Sequence, residues 1–154
     1  MPRLKPIIAV RIQEPANYGR RTSVSWIRHG RFELNGDNAV EHGGAGTGPD
    51  GFDLLAAALG QCLLTTLVAE AQRRRIELRA AEARVAVNPK EPGGGAAPYL
   101  SDFVVDLYID ADINEAEREA LEEAASSLCG VRESLLRTPG ITERLHVSPA
   151  PESP

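Results

Sequence analysis

The chain begins with short stretches in which apolar and polar residues alternate. Ile7 to Gln13 is rich in β-formers and is closed by Glu14-Pro15-Ala16-Asn17 and Gly19. From Thr22 to Arg28, Val24, Trp26 and Arg28 fall on one side and Ser23, Ser25 and Ile27 on the other. His29-Gly30 then reads as a two-residue turn into Arg31 to Leu34, which predicts a hairpin. Gly36, Gly43, Gly44, Gly46, Gly48, Pro49 and Gly51 make residues 35–51 a loop.

At Asp53 the pattern changes. Asp53 to Arg75 contains no proline, is rich in Leu and Ala, and would extend about 34 Å as a helix. It is apolar nearly all round until Glu70, the signature of a buried central helix, and Arg73, Arg74 and Arg75 place cations at its C-terminal end. Alternation returns in Glu77 to Asn88, with Val85 and Val87 on one face, and in Tyr99 to Asp110, with Phe103, Val105, Leu107 and Ile109 in phase. Pro89 to Pro98, with its three consecutive glycines, connects them. Asp112-Ile113-Asn114-Glu115 has capping-box form and opens a helix to about Leu128. Cys129-Gly130 predicts a break, Val131 to Arg137 a further helical piece, and Ile141 to Val147 a closing strand after Thr138-Pro139-Gly140.

The predicted order is β-β-β-α-β-β-α-α-β, an α+β fold in one domain, residues 1–147, with a Pro-rich tail, residues 148–154. So few strands cannot cover the long apolar helix on every side, so a dimer that shares its burial is expected.

Composition narrows the function classes. The 154 residues hold 17 Lys and Arg against 22 Asp and Glu, a net charge of −5, which argues against a nucleic-acid partner. The longest near-apolar run, Leu54 to Ala69, is 16 residues and includes Gln61, Thr65 and Thr66, short of the roughly 20 of a membrane span. Ile7 to Val10 is too short for a signal-peptide core. Two cysteines make no disulfide framework, and the expected setting is the cytoplasm, where thiols stay reduced.

Those cysteines carry the candidate chemistry. Cys62 lies mid-helix, where a free cysteine reads first as a small buried hydrophobe. Cys129 precedes Gly130 at a predicted helix start, where backbone N–H groups favour a thiolate. Their separation of 67 residues leaves open whether they meet. If they do, one thiolate can attack an O–O bond and the other thiol can resolve the sulfenic acid as a disulfide. Gly46-Thr47-Gly48-Pro49-Asp50-Gly51 matches a dinucleotide-loop spacing, but no strand leads into it and Pro49 removes one N–H, so helix capping explains it better. His29, His42 and His146 are scattered and give no zinc spacing; neither metal nor cofactor is expected.

The stretch Gly48-Pro49-Asp50-Gly51-Phe52-Asp53-Leu54-Leu55-Ala56-Ala57-Ala58-Leu59-Gly60-Gln61-Cys62 resembles the first cysteine motif of the OsmC/Ohr superfamily, the osmotically induced and organic hydroperoxide resistance proteins. Cys129-Gly130-Val131-Arg132, with Leu135 and Ile141 to Val147, resembles the second motif, with Gly130 where the family usually has Pro. The resemblance implies an intertwined homodimer whose antiparallel sheets wrap two long central helices. It puts Cys62 at the peroxide-attacking position and Cys129 at the resolving position, and implies a thiol-dependent peroxidase acting on organic hydroperoxides. Arg20 matches the activating Arg, with Arg21 its rival; Phe52 and Leu59 match the substrate wall. Phe52 also stands where Ohr-type members carry the Glu that orients the Arg, which leaves the neighbouring Asp53 as the candidate supporting carboxylate. The implied reductant is a dithiol, of lipoyl type in the Ohr branch. The alternative reading is a non-catalytic dimer that binds a small apolar ligand at its interface.

Overall fold

The computed structural model describes residues 8–12, 22–26, 33–137 and 139–145. They fall into two compact units, one built from residues 1–54 and 143–154, the other from Leu55–Thr142.

The first unit holds an antiparallel three-stranded meander of β1 (Ile8–Ile12), β2 (Thr22–Trp26) and β3 (Glu33–Gly36). The predicted strands are present, trimmed at their ends. Ser25 pairs with Glu33, a register one residue out of step with a two-residue turn at His29-Gly30, and the turn itself lies outside the described residues. The loop that follows is organised by Asp37, 3% exposed. One of its oxygens accepts from the Asn38 amide at 2.9 Å, the other from the Ala45 and Thr47 amides at 3.0 and 3.1 Å and the Thr47 hydroxyl at 2.8 Å. Led by the Thr47 amide, these donors hold the Asp37 carboxyl below its ordinary value against the opposing effect of burial. The loop is tight enough that a Cβ on Gly44 would sit 1.9 Å from the Asn38 carbonyl oxygen.

Helix α1 (Gly51–Arg74) begins two residues earlier than its hydrophobic pattern does. Asp50 explains the extension. Its Oδ1 accepts from the Phe52 and Asp53 amides at 2.8 and 2.9 Å, and Asp53 Oδ2 accepts in return from the Asp50 amide at 3.0 Å. At the other end Arg73 and Arg74 turn back onto Glu70, at 2.6 and 2.5 Å, so they neutralise a buried acid as well as the helix terminus. Arg75 lies beyond the helix in the left-handed region (φ 61°), and the Ile76 amide reaches the Ala71 carbonyl at 2.9 Å to close the end.

In the second unit, β4 (Ala80–Lys90) and β5 (Tyr99–Asp110) form an antiparallel ribbon. Ala83, Val85 and Val87 pair with Leu107, Val105 and Phe103 on the inner, half-buried face. The register slips between Asn88 and Pro89, where proline has no N–H for the ladder. Leu59, Leu63, Leu67 and Ala71, four residues apart along α1, form the core with Leu121, Ala125 and Cys129, and the ribbon's Phe103, Val105, Leu107 and Ile109 pack against it. Gly60 marks a close approach of helix to strand: a Cβ there would lie 2.8 Å from Val85 Cγ2.

Helix α2 (Glu115–Leu128) starts at a true capping box, but one formed by Asn114 and Glu117, each side chain accepting from the other's amide at 3.0 Å. Asp112, the expected cap, pairs instead with Arg79, 3.0 Å away. The break at Cys129 is as expected, and α3 (Gly130–Leu136) follows directly. The expected closing strand is not formed over 141–145, where Ile141 is 77% and Leu145 91% exposed and no described strand pairs with them; His146 and Val147 lie outside the described residues.

Burial of α1 is one-sided within the chain. The expectation of a helix enclosed all round is met on the Leu59–Leu63–Leu67 face, while Leu55 and Val68 remain 37% and 40% exposed. By length and composition alone α1 is also long enough to cross a bilayer, a test that the core helix of a soluble protein passes equally.

Candidate active site

Both cysteines are reduced and both lie in the second unit. Cys62 projects from the middle of α1 and is half-buried; Cys129 sits between α2 and α3 with no exposed surface. The fold therefore answers what their spacing left open, because Cys62 packs against the core cluster that contains Cys129 and each thiol shifts the other's titration.

The contact is not symmetrical. Cys62 is pulled below the ordinary thiol range, chiefly by the neighbouring Cys129 thiol and then by the backbone at the start of α3, with burial opposing. Cys129 is pushed up, chiefly by burial and then by the neighbouring Cys62; the Arg132 amide, 3.3 Å from its sulfur, and the Val131 backbone only partly offset this. The thiolate is thus favoured on the half-exposed sulfur and the thiol on the enclosed one.

This corrects the expectation drawn from the helix start at Cys129. The first-turn amides of α3 do favour a thiolate, but at the enclosed Cys129 burial outweighs them, while at the half-exposed Cys62 it does not. Thr66 was not anticipated, although it lies one turn after Cys62. Its hydroxyl donates to the Cys62 carbonyl at 2.8 Å, and Thr65 donates to the same oxygen at 3.2 Å.

Leu59 is 4% exposed and belongs to the core. Phe52, half-buried, stands in the first turn of α1. Asp53, in the same turn, commits a carboxylate oxygen to the Asp50 amide. Arg20 and Arg21 lie outside the described residues. Among the described residues no cluster of three or more His, Cys, Asp and Glu could hold a metal ion.

The family model of OsmC-like proteins matches residues 43–144, a stretch that takes in both cysteines and helices α1, α2 and α3. The chain belongs to the OsmC-like family. No curated protein matches it significantly in sequence. Among solved structures, an OsmC-like fold recurs in a protein described as an osmotic stress induced and detoxification response protein from Psychrobacter arcticus, 21% identical over 86% of this chain and 89% of that one, with a TM-score of 0.73. An OsmC-like protein from Mycoplasma pneumoniae is 16% identical over 90% and 91%, with a TM-score of 0.70. An organic hydroperoxide resistance protein OsmC from Legionella pneumophila is 20% identical over 86% and 91%, with a TM-score of 0.63. At these identities the likeness is one of fold: α+β, with antiparallel strands and long helices, as the alternation and the long apolar run implied.

Proposed function

We propose that this OsmC-like protein is a thiol-dependent peroxidase that reduces organic hydroperoxides. One observation carries the reading: two free thiols in contact, with the negative charge favoured on the accessible one. An ordinary thiol, of pKa about 8.5, is only a few per cent thiolate at pH 7. Cys62, beside the Cys129 thiol and the start of α3, departs from that in the direction a nucleophile needs.

In the proposed cycle the Cys62 thiolate attacks the terminal oxygen of ROOH. The O–O bond breaks, Cys62 becomes a sulfenic acid, and the alkoxide takes up a proton and leaves as the alcohol. Cys129 then loses its proton and displaces hydroxide from the Cys62 sulfur, giving water and a Cys62–Cys129 disulfide. A dithiol reductant, lipoyl-type or similar, restores both thiols and is itself oxidised to a disulfide. Arg20, with Arg21 as its rival, is the proposed cation that further favours the thiolate and receives the leaving oxygen. A homodimer, a cytoplasmic setting and the absence of nucleic-acid and membrane partners complete the proposal; the Leu55 and Val68 side of α1 supports the dimer.

The test is thiol accounting with cumene hydroperoxide. Wild-type protein should lose two thiols per chain and gain one intrachain disulfide. Cys62→Ser should lose turnover with a dithiol reductant, and Cys129→Ser should consume one equivalent and trap a sulfenic acid on Cys62. Turnover in Cys62→Ser equal to wild type would end the reading, and a wild-type protein that keeps both thiols in peroxide would favour the ligand-binding dimer with inert cysteines.

A further inference from the structure

Two hydroxyls converge on the Cys62 carbonyl. Thr66 donates to it at 2.8 Å and Thr65 at 3.2 Å, the latter sharing its proton with the Gln61 carbonyl at 2.9 Å. The two threonines stand on different sides of the cysteine. At about 100° per residue, Thr66 lies about 40° from Cys62 towards the buried Leu59 and Leu63, and Thr65 about 60° the other way. Thr66 is accordingly half-buried, like Cys62, and Thr65 exposed. A helical side chain also leans over the turn that precedes it, which carries Thr66 back towards Cys62. Its hydroxyl is near enough to be the least of the influences that lower that thiol.

A threonine hydroxyl has one proton and two lone pairs. The Cys62 carbonyl takes the proton, so what Thr66 Oγ1 offers to an incoming molecule is an acceptor. A hydroperoxide has one O–H donor, on the terminal oxygen that Cys62 attacks. The spacing suits both contacts at once. Side chains four residues apart on a helix stand about 5–6 Å from each other. A near-attack S···O approach of about 3–3.5 Å and an O–H···O bond of about 2.7 Å together span that gap.

We infer that Thr66 is a further catalytic residue, whose Oγ1 accepts the hydroperoxide O–H and holds the terminal oxygen against Cys62. The proton is not transferred. It stays on the attacked oxygen, which becomes the S–OH of the sulfenic acid and still donates to Oγ1. The electron pair of the O–O bond leaves with the alkoxide, which is protonated from water. The assignment rests on Cys62 being the nucleophile of the proposed peroxidase, and it makes an O–H on the attacked oxygen part of what the site recognises.

Two electrophiles for the Cys62 thiolate separate this role from a change in thiolate fraction. Cumene hydroperoxide carries the donor. Methyl methanethiosulfonate, which transfers its methylthio group to a thiolate and releases methanesulfinate, has no O–H or N–H. Rate constants for the two are measured at one pH by mass spectrometry of quenched samples and taken as a ratio, so that any change in thiolate fraction cancels. Thr66→Val keeps the shape and removes the oxygen; it should lower the ratio of hydroperoxide to thiosulfonate rates about tenfold, the effect of one lost hydrogen bond. Thr66→Ser and Thr65→Val should keep the wild-type ratio. An unchanged ratio in Thr66→Val, or an equal fall in Thr65→Val, overturns the inference. Should Thr66→Val not fold, Thr66→Ala lacks the same oxygen and is read in its place. Wild-type protein that reacts with the thiosulfonate and not with the hydroperoxide would refute the peroxidase reading and this role with it. Hydroperoxide reduction by wild type with an unchanged ratio in Thr66→Val refutes the role alone.

Discussion

A thiolate in a half-buried position needs stabilising neighbours, and the groups that lower Cys62 are neutral, the Cys129 thiol first among them. A cation would add a different contribution, since it both lowers the thiol pKa and meets the charge that develops on the leaving oxygen. Arg73 to Arg75 cannot serve from their own helix. They lie at least about 16 Å along its axis from Cys62, and Arg73 and Arg74 are engaged with Glu70. Arg20 remains the proposed source. Arg20→Met should raise the pH midpoint of Cys62 alkylation and slow cumene hydroperoxide reduction at least about tenfold, without changing the secondary structure seen by circular dichroism. If neither Arg20→Met nor Arg21→Met shifts the midpoint, the charge comes from elsewhere. What the sequence reveals at this scale is side chains with reactive atoms, which is why both cysteines stood out. Backbone amides carry no residue signature, so the influence of the α3 start on the two thiols became visible only in the fold.

Among the elements, α1 combines an apolar body with one buried acid. Glu70 is 9% exposed and its carboxyl is lowered to about 2 from an ordinary 4.5, by hydrogen bonds from Arg73 and then Arg74 against the cost of burial. A carboxyl depressed in the folded state stabilises it fully above the unfolded value, and that contribution is lost as pH falls through the folded value. Glu70→Gln should therefore lower the urea midpoint at pH 7. The gap from wild type should begin to close below about pH 4.5 and vanish towards pH 2; a gap of constant size across that range would show that the glutamate acts only through packing. Helix α1 and the β4–β5 ribbon were legible because their periodicities are long and uninterrupted. Their ends were less so. Asp50 extends α1 backward through an Asp–Asp cap, and Asn114 rather than Asp112 caps α2, because local hydrogen bonding decides among adjacent polar residues that hydropathy cannot rank. The strand expected at Ile141 has the right residue types, but strand formation depends on a pairing partner that a local pattern does not contain.

For the molecule as a whole, the same missing partners point outward. Apolar burial is worth about 25 cal/mol per Å², and the chain leaves Leu55, Val68, Leu128, Leu136, Ile141 and Leu145 between 37% and 91% exposed. The proposed dimer would cover such surface, and sedimentation at micromolar concentration should then give about twice the 16.6 kDa chain mass. A folded species at the single-chain mass would contradict it.

The full enclosure of Cys129 also gives the protein an internal clock. In a Cys62→Ser chain the one remaining thiol has no exposed surface in the folded state, so a bulky maleimide can reach it only when the packing between α1, α2 and α3 opens. With reagent in excess, the labelling rate should stop rising with maleimide concentration and settle at the opening rate of that packing. A rate that keeps climbing in proportion to reagent while reclosure is suppressed by mild denaturant would mean that the thiol is reached without such opening.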